Sequence, residues 1–305
     1  VLKVVRRTLF KELKNRVNHF HLCDDKDITL DNKMNIYWKK YLLAKLIKGP
    51  SDIKPRIYIQ NFILLDDLDK KIIKKRLLLF LKKTINDIIH PLIILSAKFK
   101  ESKISGLIYQ INESLGVIQT SKVKELVKNL SIKDKELLIN SGVKIGELFI
   151  WVPKLFENNQ AQYFWYLRQI FFEVKHKELY PDIDKPINLK NSPKELIYAN
   201  EFILIGDSYY HVELIEKIIV KFKSIMKSQN IFFLNKKNMT ILNKNFSITH
   251  SQFKLLLNKL NYERDKNNPV KYIHKNKKEL PEDLLLKNKV NENSPFSVLK
   301  NLKIN

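Results

Sequence analysis

Apolar positions cluster most like a core between Gly142 and Phe172. From Val143 to Trp151 they first alternate with polar residues and then run on continuously. That change of pattern predicts one strand, 143–152, starting at an edge and ending in the interior. Pro153 cannot donate to a ladder and closes it. Gly142 and Gly146 are two of only six glycines in the chain and suit close backbone approach. From 158 to 175 the period becomes helical. Phe164, Leu167 and Phe171 share one stripe, Tyr163, Tyr166 and Ile170 the next, and Trp165 and Phe172 widen the surface. A helix apolar around most of its circumference is buried on several sides. The same aromatics would suit base stacking, but helical spacing is the signature of a core.

The remaining pattern is laid out around this centre. Residues 1–20 form a basic helix with Leu2, Val5, Leu9 and Leu13 on one face. It has features of an organellar presequence, but it is read as the end of a preceding domain, with its loop, over 1–30. A small β subdomain follows over 31–62, with strands at 35–38, 42–47 (ended by Gly49-Pro50) and 56–60. Residues 63–192 form a helical region. A helix over 65–95 opens on Asp66, Asp67 and Asp69, where the helix dipole favours acids. Shorter helices over 101–115, 120–130 and 132–141 are stopped by Gly116 and Gly142. A loop marked by Pro181, Pro186 and Pro193 leads to a last subdomain over 193–274. Its elements are a strand at 201–205, a turn at 206–208, a helix at 210–228, a strand at 231–234, helices at 235–243 and 249–260, and a hairpin at 262–273. From helix 210–228 onward that order is winged-helix-like. The tail over 275–305 is polar, lysine-rich and read as disordered, with an amphipathic patch at 294–302 suited to docking. The fold class is α+β and mostly helical. It comprises the small β subdomain, a helical region with a central buried strand and helix, and the winged-helix-like end.

Charge sharpens the functional reading. Fifty-six basic against 32 acidic residues leave a net charge of +24, which favours polyanions, though Lys, Asn and Ile enrichment also reflects AT-rich coding. In a winged helix the second helix of the helix-turn-helix can face nucleic acid. His250, Lys254, Asn258 and Lys259 would form that face, and Arg264, Lys271 and Lys275 the wing. The lysine face of 70–83 suits phosphate contact or plain solvation. Cys23 stands alone, so there is no disulfide framework. His19, His21 and Cys23, with Asp24 and Asp25 beside them, lack a second ligand pair at zinc-like spacing, so no metal is assigned. No apolar run is long enough to span a bilayer. The sequence carries no phosphate loop, dinucleotide fingerprint, nucleophile elbow or H-E-x-x-H motif, so no catalytic residue is assigned.

Several stretches taken together carry a resemblance. They are IYWKKYLLAKLIKGPSDIKPRIYI, LLLFLKKTINDIIHPLIIL, GLIYQINESLGVIQTSKVKEL, LLINSGVKIGELFIWVPKLF, YANEFILIGDSYYHVELIEKI, ITHSQFKLLLNKLNYER and SPFSVLKNL. In this order, from about residue 36 to the end, the chain resembles the C-terminal region of alphaproteobacterial superfamily 2 helicases related to the mitochondrial RNA-degradosome helicase. It departs from them in being lysine-rich where they are rich in Ala and Arg. The resemblance implies an accessory region that braces a motor and guides RNA or DNA, with no ATPase site of its own. It also implies upstream motor domains in the same polypeptide using ATP and magnesium, a nuclease as a further partner, no membrane partner and a bacterial cytoplasmic location. Two other functions fit the residues: a standalone winged-helix nucleic-acid-binding protein, and a structural protein of an organellar ribonucleoprotein.

Overall fold

Alternation in the first third of the chain produces a four-stranded antiparallel sheet. In the computed structural model its strands are β1 (Ile28–Leu30), β2 (Asn35–Trp38), β3 (Tyr41–Ser51) and β4 (Lys54–Ile59), in sequence order. The structure describes residues 2–60, 65–175, 179–188, 197, 201–226 and 230–275. The expected tail beyond 275 and its 294–302 patch lie outside the described residues. The chain packs as two units, with the division between Ile219 and Val220.

In the first unit, the buried face of the sheet (Ile36, Ala44 and Leu46) meets helices α1 (Leu2–His21), α2 (Asp67–Lys98) and α6 (Asn158–Phe171). Strand β3 does not end at Gly49-Pro50 as the turn signal suggested. It runs on to Ser51 through a bulge, because a Cβ on Gly49 would collide with the Lys54 carbonyl across the ladder. Asp66 caps α2 by accepting from the Asp69 amide at 2.7 Å. Along α2, Ile73, Leu77 and Phe80 enter the core under the sheet, while Leu92 and Leu95 enter a second core. Pro91, which cannot donate to the carbonyl one turn back, lies where the buried face passes from one core to the other. Part of the lysine face is spent internally: Arg76 and Lys83 both bond Asp25, each at 2.7 Å.

The second core is covered by α3 (Ser105–Glu113), α4 (Lys124–Lys128) and α5 (Ile132–Asn140). At its centre is a three-stranded sheet, β5 (Val117–Gln119), β7 (Phe149–Trp151) and β6 (Lys144–Ile145), in that spatial order. Here the expected single strand 143–152 is corrected. The chain reverses at 146–148, so that Lys144 pairs with Trp151 and Ile145 with Ile150. The cause lies far along the chain. The Glu216 carboxylate accepts from the backbone N–H groups of Glu147 (3.0 Å), Leu148 (2.8 Å) and Phe149 (3.0 Å), and a Cβ on Gly146 would collide with it.

Helix α6 is buried on several sides, as its pattern predicts. Trp165 is 0% exposed, so its ring has no open face for a base. Within the same helix Arg168 is buried between Asp52 and Glu201, each at 3.0 Å, and over the Phe164 ring at 4.0 Å. A hairpin follows, β8 (Phe202–Ile205) with β9 (Ser208–His211). Residues 208–211 are thus strand, not turn and helix, and α7 starts only at Val212 and runs to Ile225.

The second unit is built from local signals. After the end of α7 come β10 (Ile231–Phe233), α8 (Lys236–Phe246), α9 (His250–Lys259), β11 (Tyr262–Arg264) and β12 (Lys271–His274), with sheet order β10-β12-β11. The order is helix, strand, two helices and a hairpin whose last strand lies in the middle of the sheet. Its core is aromatic. Phe222 packs edge-on against Phe232, Phe253 and Tyr262, with ring centroids 4.8–5.6 Å apart.

Candidate nucleic-acid interface

The helix pair of the second unit is fixed by its caps. Asn235 caps α8 by accepting from the Asn238 amide at 2.9 Å. The helix ends at Ser247, which takes the left-handed conformation (φ 53°) that turns the chain. Thr249 and Gln252 form a reciprocal capping box at the start of α9. Phe253, Leu256 and Leu257 then anchor α9 in the core, each fully buried.

This anchoring leaves the expected contact residues on the outer side of α9. His250, Asn258 and Lys259 are exposed and Lys254 is half-buried. At helical spacing His250, Lys254 and Asn258 form one stripe, and Ser251, Leu255 and Lys259 the next. Leu255 is 43% exposed at the middle of that surface. Among the described residues neither Lys254 nor Lys259 has an ion-pair partner. Partial burial, followed by the Lys254 charge, holds His250 below the usual histidine range.

His250 also closes a groove of about 530 Å³ whose other wall is α8. Lys236, Thr240 and Lys244 line it at four-residue spacing, alongside Leu234, Asn235, Met239 and Asn243, and no carboxylate among the described residues lines it. The sequence reading missed these α8 residues. The signal was available as Lys236-x-x-x-Thr240-x-x-x-Lys244 on a helix that buries Leu242.

The wing is different. Arg264 donates from Nε to the Pro269 carbonyl at 3.0 Å, Lys271 pairs with Asp265 at 3.3 Å, and Lys275 pairs with Glu263. Asp265 is held below the usual carboxylate range by the Asn267 amide and then by Lys271. The seven expected residues fall in two places. Four lie along α9, and three lie in a hairpin whose cations already have local partners.

Among the described residues no group of three or more His, Cys, Asp or Glu is arranged to hold a metal ion. No described helix is long and apolar enough to cross a membrane.

Comparison with known proteins overturns the helicase resemblance. The chain is similar to Protein Ycf2 of Physcomitrium patens, 28% identical over an alignment of 279 residues that covers 88% of this chain. The chain spans only 11% of the length of that protein. No family model matches the chain, helicase or other, and no solved structure matches it. The stretches that suggested a helicase are short apolar runs between lysines, which any basic α+β chain of this composition can supply. The upstream motor, its ATP and magnesium, the nuclease partner and the bacterial compartment lose their support with it.

Proposed function

We propose that the second unit binds nucleic acid along its helix pair, with α9 as the contacting helix and the α8 groove as a seat for backbone phosphate. The observation that carries this reading is the contrast in cation pairing. Lys236, Lys244 and His250 line one groove that has no carboxylate in its lining among the described residues, and the Lys254 charge acts on His250 beside it. The wing cations are already matched by Asp265, Glu263 and a backbone carbonyl. A net charge of +24 adds long-range attraction for a polyanion. Phosphate contacts by lysines of this kind fix position, not sequence.

The test is a salt titration of binding by the whole chain to single-stranded RNA and to duplex DNA. Each lost phosphate contact is expected to flatten the log–log slope by about 0.7 on single strands or about 0.9 on duplex. Lys236→Ala, Lys244→Ala and Lys254→Ala together should remove two to three contacts' worth. Lys271→Ala with Lys275→Ala should remove less than one. Equal slopes for the two sets would overturn the assignment to the helix pair.

One observation favours a second reading, in which the same face meets a protein. Leu255 is an exposed leucine at the centre of α9's outer surface. Leu255→Ser would then abolish capture of a partner while leaving the salt slope on nucleic acid unchanged.

A further inference from the structure

The first unit contains a cavity of about 640 Å³ between α1, the β2–β3 hairpin and the start of α2. This size suits a small ligand. Leu13, Val17, Phe20, Leu43, Leu65 and Ile73 supply an apolar lining, and most of these side chains are buried. The rim is basic: Arg16 from α1 and Lys39 and Lys40 from the hairpin turn, against one acid among the described residues, Glu12. Glu12 already bonds Arg16 at 3.3 Å. Lys39 and Lys40 have no ion-pair partner among the described residues.

Two further features narrow the ligand. Lys39 lies over the Trp38 ring at 5.7 Å, and Arg16 and Lys40 lie over Tyr41 at 5.9 Å each. Aromatic faces at the rim are thus taken by cations, which disfavours a stacked planar ring and leaves the inner wall for an aliphatic body. The rim cations in turn select the other end of the ligand: a carboxylate or phosphate head group would lie among Arg16, Lys39 and Lys40.

We propose that this cavity binds an anionic amphiphile, one aliphatic chain ending in a carboxylate or phosphate. The chain lies against the leucine, valine and phenylalanine wall, and the head group lies between Arg16, Lys39 and Lys40. The same chemistry is available from a free molecule in solution and from a lipid in an anionic bilayer. The size of the cavity and its apolar lining commit the proposal to a single molecule taken from solution.

The test is calorimetric titration of the whole chain with dodecanoate and dodecyl phosphate below their micellar concentrations. Dodecanol and dodecyltrimethylammonium are the controls, and phosphatidylglycerol vesicles form a separate arm. Saturable one-to-one binding is expected, at least tenfold tighter for the two anions than for either control. The exposed-turn variant Lys39→Glu/Lys40→Glu should weaken it at least tenfold. Lys236→Glu/Lys244→Glu, a charge change of the same size in the other unit, should leave it unchanged. Leu13→Trp should block the cavity. Should that variant not fold, the turn variant decides alone. Equal affinity for dodecanol and dodecanoate, equal loss in the two charge-reversal variants, or association with vesicles but not with the monomeric anions would each overturn the proposal.

Discussion

Two buried titratable residues of the first unit give its stability opposing pH responses. Glu201 is pushed up from its ordinary 4.5 to about 7 by burial, reinforced by Asp52, against the pull of Arg168. Its folded form holds a proton that the unfolded form releases. Its contribution is therefore full below about pH 4.5 and is lost as pH rises through 7. His211 is pushed down to about 3, chiefly by burial, with the Lys217 charge adding to it, and packs edge-on between Phe156 and Phe202. Its contribution is full above its ordinary 6.5 and is lost as pH falls toward 3. Between pH 4.5 and 7 the two slopes oppose one another. Glu201→Gln keeps a neutral side chain beside Arg168 but removes one slope, worth at most about 3 kcal/mol. The variant is expected to lose stability more steeply than the parent on acidification from pH 7 to 4.5, as read from urea midpoints. Parallel curves would show that Glu201 is already ionised in the folded protein, held by Arg168.

At the scale of elements, the reversal at 146–148 depends on one distant carboxylate. Glu216 offers two oxygens to three backbone donors. A glutamine in its place has one acceptor and turns N–H groups toward N–H groups, leaving at least one buried donor unmatched. Glu216→Gln is expected to cost about 1–3 kcal/mol and to speed amide exchange at 147–149. A loss under about 0.5 kcal/mol, the scatter of an ordinary surface change, would mean that Gly146 and the strand pairs reverse the chain unaided. The same contact explains why the sequence misleads here. Period-two alternation from Val143 does mark extended backbone, but the acceptor that splits the strand lies 67–69 residues away, beyond the reach of any window. Residues 208–211 fail for a related reason: Tyr209, Tyr210 and His211 are recruited by pairing with β8, a tertiary demand that no local period records. Arg168 reads as one polar position in an aromatic helix because its counter-ions are 116 and 33 residues away. The second unit was legible because its signals are local: the Asn235 and Thr249–Gln252 caps, the apolar spacing of α9, and the turn before β12. Even there the surface was only half legible. The α9 stripe follows from period, whereas the pairing that occupies Lys271 and Lys275 becomes visible only once the hairpin register sets Glu263 and Asp265 beside them.

For the molecule as a whole, the excess of lysine has two consequences that salt pulls apart. A net charge of +24 on 305 residues is self-repulsive, and repulsion among exposed charges weakens the compact state. Raising ionic strength from about 10 to about 150 mM shortens the screening length from about 30 to about 8 Å. That removes most of the exposed repulsion while barely touching buried pairs such as Arg168 with Glu201, whose side chains are 2% and 6% exposed. The thermal midpoint is therefore expected to rise with salt, by about 2–4 °C for each kcal/mol of repulsion relieved in a chain of this size. If the second unit binds as proposed, nucleic-acid affinity should fall over the same range, because each counterion released on binding gains less free energy in a more concentrated salt solution. The two trends separate a lysine surface set by coding bias from a built binding face. Neutralising scattered exposed lysines such as Lys71, Lys74 and Lys75 should flatten the thermal trend and leave the binding slope alone. Neutralising Lys236, Lys244 and Lys254 removes the same amount of charge and should flatten both trends. If the midpoint instead falls with salt, exposed ion pairs such as Lys48 with Glu173 outweigh the repulsion, and the net charge has been absorbed locally throughout, as it is in the wing.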